Sequence, residues 1–204
     1  MTIEDFGTRV ASVWQGLRAS TRSLVERALA TPPPAPSRGD AVYDPRSEWE
    51  LSRLLAALDE RVAEKGVKGL SAEASRELTR MADTCAAVLH REARSAEVFS
   101  QLLERALRSR DYARVDTLAD AMLGRLAPSE LCELARSPIP AVRALAHESL
   151  LQLPTGALVS LLGDPIDAET ARSALESQAD EYESEEARLI VHVLEQADDA
   201  EDDM

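Results

Sequence analysis

The 204 residues suffice for one compact body with an appendage, and 45% of them are hydrophobic, which is ample for a core. Only 3% are aromatic and the apolar residues are mostly alanine and leucine, a composition that favours helix packed on helix rather than a sheet. The formal net charge is −14 and no basic cluster is interleaved with aromatics, so we expect no binding to nucleic acid.

Residues 3–29 are predicted to form one long amphipathic helix. Apolar side chains recur at three- and four-residue spacings, and Ile3, Val10, Leu17 and Leu24 lie seven residues apart, as in a coiled-coil seam. The helix therefore needs a partner, either within the chain or in a second copy, through self-association of residues 3–28.

A proline-rich segment, residues 31–44, is the predicted linker, because its prolines lack a backbone donor and disfavour helix in the residues before them. Asp44 and Pro45 then match an N-cap followed by proline at the first helical position. Stripes of leucine predict three further helices up to residue 109, and Asp111 is predicted to cap the next one.

The chain repeats itself at an offset of 27 residues. The positions that superpose are Val115, Leu118, Ala119, Leu123 and Leu126 on Val142, Leu145, Ala146, Leu150 and Leu153, and Leu131, Leu134, Pro138, Ile139 and Ala141 on Leu158, Leu161, Pro165, Ile166 and Ala168. A repeat of this length indicates helical pairs, and because one pair does not bury its apolar face alone, neighbouring pairs must stack.

Residues 134–143, with Ala146 and Leu150, and residues 158–165 resemble HEAT-like repeats, and more closely their short leucine-rich variant form. In such families leucine and alanine end one short helix, an acid or serine with proline turns the chain, and a Val-Arg pair opens the next helix. The resemblance covers about residues 111–180. It implies a stacked helical array with a curved face that binds proteins, and it names no catalytic residues.

We therefore predict an all-α chain containing a short right-handed α-solenoid of HEAT-like repeats. The predicted organisation is an N-terminal amphipathic helix over residues 1–30, the linker over 31–44, the repeat domain over 45–197 and an acidic disordered tail over 198–204. The longer helices before residue 110 would cap one end of the array, and the polar last helix would close the other.

The N-terminal residues lack the basic start and apolar run of a signal peptide, and no stretch approaches about 18 uncharged apolar residues. We expect a soluble, cytoplasmic protein without a membrane partner. Arginine far outnumbers lysine, as is typical of GC-rich bacterial genomes. Cys85 and Cys132 fall among apolar helical positions, which predicts buried, reduced thiols and no zinc or iron–sulfur cofactor.

The strongest catalytic candidate is the pair His147-Glu148. It resembles the His-Glu pairs on repeat helices with which HEAT-like deoxyhypusine hydroxylases hold two irons. Such a site needs several convergent pairs, and the equivalent positions one repeat away carry none. A second catalytic alternative is Cys132 as nucleophile with His147 as its base. Both residues lie in helices with apolar stripes, which favours packing of these side chains against neighbouring helices instead. We expect no catalysis, no cofactor and no metal.

The net charge is concentrated at one end of the chain. Residues 1–163 hold 22 acidic and 21 basic side chains, whereas residues 164–204 hold 15 acidic and 2 basic ones. Two sets of residues are candidates for binding a partner. Trp14 and Trp49 would be interface anchors, or alternatively part of the core. The second set would attract a basic protein surface, or alternatively form only a solvated face, and consists of Asp180, Glu181, Glu183, Glu185 and Glu186.

The predicted function is a non-catalytic adaptor or scaffold that binds another protein, because repeat arrays expose long surfaces and demand few special residues. Two alternatives remain open. The chain would otherwise be an enzyme or lyase subunit of HEAT-like fold, or an acidic mimic of nucleic acid that occupies a basic protein groove.

Overall fold

The computed structural model describes residues 3–30, 44–64 and 70–202, and the regular structure in these ranges is helical throughout, which confirms the prediction of an all-α chain. The chain divides into two compact units, Met1–Ala93 and Arg94–Met204, called unit 1 and unit 2 below. None of the helices in the described ranges combines the length and the apolar character that crossing a bilayer requires.

Unit 1 is built around two long helices that pack on each other. Its described elements are a 3₁₀ turn over Ile3–Phe6 and the helices α1 (Thr8–Gly16), α2 (Ala19–Leu29), α3 (Pro45–Ala63) and α4 (Ala72–Glu92). Helix α1 packs on α3, and α2 packs on both α3 and α4. The predicted leucine stripe of α3 forms the centre of the core, because Leu51, Leu54, Leu55 and Leu58 are almost wholly buried.

Two helix starts predicted from acidic caps are confirmed. Asp44 precedes Pro45 at the start of α3, and its carboxylate accepts a hydrogen bond of 3.0 Å from the backbone amide of Arg46. Asp111 does the same in unit 2, accepting from the amide of Arg114 at 3.1 Å. Each cap satisfies a backbone donor that has no partner inside its helix.

Residues 3–29 form a turn and two helices instead of the one long helix predicted from the seam. Leu17 and Arg18 are both extended, with ψ angles of 146° and 154°, so the helix stops after Gly16 and restarts at Ala19. The break rotates the buried face: Val10 and Leu17 are buried as the seam predicts, but Thr21 and Val25 are buried beyond it. The partner of the seam lies within unit 1.

The two units do not follow the predicted domain limits. Residues 3–30 belong to the same unit as α3 and α4, and the predicted repeat domain is split after Ala93. Residues 3–30 belong to unit 1 because α1 and α2 pack on its other helices and bury apolar side chains such as Val10 and Val25 in its core. The predicted linker lies outside the described residues except for Asp44, and helix α11 continues to Asp202 through part of the predicted disordered tail.

Unit 2 consists of shorter helices in succession. They are α5 (Ala96–Ser109), α6 (Tyr112–Arg125), α7 (Pro128–Ala135), α8 (Pro140–Leu151), α9 (Thr155–Leu161), α10 (Ala168–Asp180) and α11 (Glu185–Asp202). Each packs on its neighbour in pairs, α5 on α6, α7 on α8 and α9 on α10. In addition α5 packs on α7 and α7 on α9, while α6 packs on α8 and α8 on α10. Helix α11 packs on α10.

A buried glutamine links three successive helices of unit 2. Gln178 on α10 donates hydrogen bonds to the carbonyls of Leu151 at 3.0 Å and Leu153 at 2.8 Å, and its own carbonyl lies 3.2 Å from the hydroxyl of Thr155. The glutamine thus provides a donor to the carbonyl of Leu151, which ends α8, and to that of Leu153 in the following turn, and it accepts from a side chain at the start of α9. The side chain therefore fixes the turn between α8 and α9 against α10.

Candidate functional site

The five acidic residues predicted to bind a partner meet at the turn between α10 and α11, and we call this set the acidic corner. Asp180 ends α10, Glu181 follows it, Glu183 lies in the turn, and Glu185 and Glu186 open α11. All five side chains are exposed. Glu183 adopts a left-handed φ of 52°, which lets the chain reverse direction between the two helices.

The start of α11 explains why acids are tolerated side by side there. The hydroxyl of Ser184 accepts a hydrogen bond of 3.3 Å from the amide of Ala187, which caps the helix. The positive end of the helix dipole stabilises the negative charges of Glu185 and Glu186 in the first turn. Arg188 lies beside them, but its guanidinium donates to the carbonyl of Ala179 at 3.3 Å.

An exposed aromatic ring lies within the acidic corner. Tyr182 exposes 51% of its surface, and its hydroxyl donates a hydrogen bond of 3.4 Å to the carboxylate of Glu148 on α8. The charge of Glu148, with burial and the nearby Glu181, raises the pKa of Tyr182. The corner therefore extends onto α8, and a flat ring that partners readily bury is surrounded by negative charge.

The two tryptophans differ in their environments. Trp14 on α1 is half-buried, whereas Trp49 on α3 exposes 49% of its surface, and the guanidinium of Arg53 lies 4.7 Å from the centre of its ring. Trp49 and Arg53 border a shallow depression whose other wall is formed by Ser12 and Val13 of α1. The structure thus exposes one of the two predicted anchors, and it is in unit 1, whereas the acidic corner is in unit 2.

A buried polar network in unit 1 was not predicted from the sequence. The carboxylate of Glu50, 6% exposed, accepts hydrogen bonds from the hydroxyl of Thr21, from the guanidinium of Arg18 at 3.0 Å and from the amide of Arg18 at 3.3 Å. The same guanidinium reaches Asp44 at 2.7 Å and the hydroxyl of Ser47 at 3.1 Å. The network joins the start of α2 to the start of α3.

The network shifts the acidity of both its carboxyl groups. Hydrogen bonds from Ser47 and Arg18 lower the pKa of Asp44 to about 2. Burial by itself would raise the pKa of Glu50, but hydrogen bonds from Thr21 and Arg18 outweigh it and lower that pKa. Both groups are therefore charged at neutral pH, and the fixed ions hold Arg18 in the extended conformation that interrupts the predicted long helix.

The sequence candidates for catalysis, His147 and Cys132, are in unit 2. His147 is half-buried on α8, and its neighbour Glu148 takes part in the contact with Tyr182. Cys132 is completely buried on α7, and burial, reinforced by the negative charge of Asp167, raises its pKa to about 11. A thiol of this acidity is protonated at neutral pH and is a poor nucleophile. Cys85 is likewise buried.

Within the described ranges, no three His, Cys, Asp or Glu side chains are grouped so as to hold a metal ion. Comparison with known proteins returns no matching family, no matching curated protein and no matching solved structure.

Apolar side chains on α11 are the surface feature that the prediction of a polar last helix overlooked. Leu189 and Val193 lie one helical turn apart and expose 69% and 63% of their surfaces. The signal was present in the sequence, because α11 carries apolar residues at 187, 189, 190, 191, 193 and 194, which cover more than the one face needed to pack on α10.

Proposed function

We propose that this chain is a non-catalytic protein-interaction module, in which unit 2 is a short α-solenoid of HEAT-like repeats and the acidic corner attracts the basic surface of a protein partner. The observation that carries the proposal is the acidic corner itself. It places five exposed carboxylates around an exposed tyrosine at the end of a series of stacked helices. Such a surface provides both charge for steering and a ring for burial.

The solenoid part of the proposal is supported by the spacing and contacts of the helices. Helices α6, α8 and α10 start at Tyr112, Pro140 and Ala168, 28 residues apart, and α7 and α9 start at Pro128 and Thr155, 27 residues apart. Alternate helices contact each other in two rows, α5 to α7 to α9 and α6 to α8 to α10. Repeats that stack on their neighbours in this way expose a long surface.

The negative charge of the acidic corner is the reason for proposing a partner with a basic surface. Exposed pairs contribute only about 0.2 to 1 kcal/mol each, and at physiological salt the field of an exposed charge extends about 8 Å. Several carboxylates at one corner therefore act on what docks near them, and they accelerate encounter with a basic surface more than they hold the complex.

The proposal is tested by affinity capture from the source cell at low salt, followed by association kinetics with the captured protein. The test variant neutralises the acidic corner by Asp180→Asn with Glu181, Glu183, Glu185 and Glu186 each changed to Gln. The control variant neutralises five exposed acids spread over unit 2, namely Glu97, Asp116, Asp120, Glu133 and Glu169. Both variants lose the same charge, so only its position differs.

We expect the corner variant to associate about tenfold more slowly at low salt, with a smaller change in the dissociation rate, and the difference to vanish at high salt. The control variant should associate almost as fast as the unmodified protein. Equal, salt-independent association of both variants would refute the acidic corner as an attractor. Purified protein that retains stoichiometric iron, lost on His147→Ala, would instead support the enzyme alternative.

A further inference from the structure

Helix α11 has two apolar stripes, and only one of them is used within unit 2. Ala187 is completely buried and Ile190, Val191 and Leu194 are partly buried, at the spacing of a helix face that packs on α10. Leu189 and Val193 form a second stripe about a third of a turn away from the first, and both remain mostly exposed. Contiguous exposed apolar side chains are a feature of interaction surfaces.

The two charged side chains one turn before the second stripe are both acidic. Glu185 and Glu186 precede Leu189 by one helical turn, and both are exposed. Arg188, the one Lys or Arg of α11, donates a hydrogen bond to the carbonyl of Ala179 at the end of α10, and His192 contacts Glu195 on its own helix. A molecule that covers Leu189 and Val193 therefore meets an apolar stripe with carboxylates at its N-terminal end.

We propose that the stripe formed by Leu189 and Val193 binds a basic amphipathic helix of a partner protein, whose apolar face covers the stripe and whose Lys or Arg side chains pair with Glu185 and Glu186. This inference rests on the proposed function and specifies the partner's structure and charge. A helix fits because a ridge of side chains spaced by one turn packs into the groove of another helix.

Charge selects against the other occupants. A second copy of α11 would bring carboxylates towards Glu185 and Glu186 in either direction, because its first turn and its later turns, with Glu195, Asp198 and Asp199, are both acidic, and like charges held together are destabilising. An anionic membrane surface would repel the same carboxylates. A basic helix alone satisfies both the apolar stripe and its acidic end.

The experiment measures binding of defined fluorescent peptides to the full chain by polarisation. The probe is a peptide of about 18 residues made of leucine and lysine, with the leucines spaced to form one helical face. A second peptide carries glutamate in place of lysine, and a third has the probe's composition in scrambled order. We expect the probe to bind at least about tenfold more tightly than either comparison peptide.

Variants assign the binding to the stripe. Leu189→Ser with Val193→Ser should weaken binding of the probe by at least about tenfold. Tyr112→Ser is the matched control, because Tyr112 is as exposed as Val193, at 62%, but lies on α6, and it should leave binding unchanged. Glu185→Lys with Glu186→Lys should reverse the preference, so that the glutamate peptide binds more tightly than the probe.

Several outcomes would overturn the inference. Equal binding of the scrambled peptide would show attraction by charge alone, and equal binding after Leu189→Ser with Val193→Ser would place the site elsewhere. Dimers of the chain that dissociate in that double variant would make a second copy the occupant. Binding to phosphatidylcholine vesicles lost in the same variant would make it a lipid surface. If the peptide fails but a captured partner still responds to neutralisation of the acidic corner, the proposed function stands and this inference falls.

Discussion

Replacing Glu50 by alanine is expected to destabilise unit 1 far more than the same change at Glu60, although both residues are acids on α3 that pair with an arginine of the N-terminal segment. Glu50 is 6% exposed and pairs with Arg18, whereas Glu60 is 49% exposed and pairs with Arg9 at 2.6 Å. Both substitutions remove the same side-chain atoms, and both are on α3. Their difference therefore measures what burial adds to an ion pair.

The magnitude follows from what each carboxylate leaves behind. Removing one member of a buried pair costs about 3 to 5 kcal/mol when the other charge is stranded. Here Arg18 is one-third exposed and keeps Asp44 at 2.7 Å, and the hydroxyl of Thr21 keeps Ser47 at 3.2 Å, so the loss is smaller. We expect Glu50→Ala to lower the free energy of unfolding by about 2 to 3 kcal/mol, and Glu60→Ala by under about 0.5 kcal/mol.

Urea unfolding of the full chain, followed by tryptophan fluorescence, measures this difference. Both tryptophans, Trp14 and Trp49, lie in unit 1, so their emission reports that unit and not unit 2. For a unit of this size the dependence on urea is about 1 kcal/mol per molar, so the urea midpoint of Glu50→Ala should fall by about 2 to 3 M. A midpoint within about 0.5 M of that of Glu60→Ala would refute the reasoning that the network stabilises unit 1.

Three further expectations follow from the same structure. Deleting residues 1–30 should abolish the cooperative transition reported by Trp49, because the four apolar side chains of this segment that lie in the core contribute about 1.5 to 3 kcal/mol each; an unchanged urea midpoint would show that the segment folds apart. The lowered pKa of Asp44 stabilises unit 1 above pH of about 4, and this stabilisation is lost as the pH falls towards 2; Asp44→Asn should therefore flatten that fall in urea titrations across this range, and parallel curves would contradict it. Cys132 and Cys85 should react with an aromatic disulfide reagent at pH 8 at least about a hundredfold more slowly in the folded chain than in urea, whereas a fast folded-state reaction would show that the thiols are accessible.

The sequence was sufficient where a signal is local. Asp44 with Pro45, and Asp111, mark helix starts because a cap needs only a side chain and the amides two or three residues on. The leucine stripe of α3 identifies its buried face because the period of a helix is fixed.

The sequence was insufficient where two distant segments decide the outcome. The seam from Ile3 to Leu24 predicts one continuous helix, and the break at Arg18 arises from a carboxylate 32 residues away in sequence, on Glu50. Glu50 lies four residues before Leu54, so the helix period places it on the buried face, but nothing near it in the sequence identifies Arg18 and Thr21 as its partners. On α11 the apolar residues are visible in the sequence, but which of them stay exposed depends on how many helices pack against it, and its main contact in unit 2 is with α10.

The pattern of helix contacts in unit 2 also bears on how this part of the chain reaches its structure. The main contacts of each helix are with helices one to three places along the chain, so the loops that must close are short. Short loop closure costs little entropy and is associated with fast folding. Each helical pair can therefore pack against the preceding pair as soon as it is synthesised, so that unit 2 can assemble progressively during synthesis.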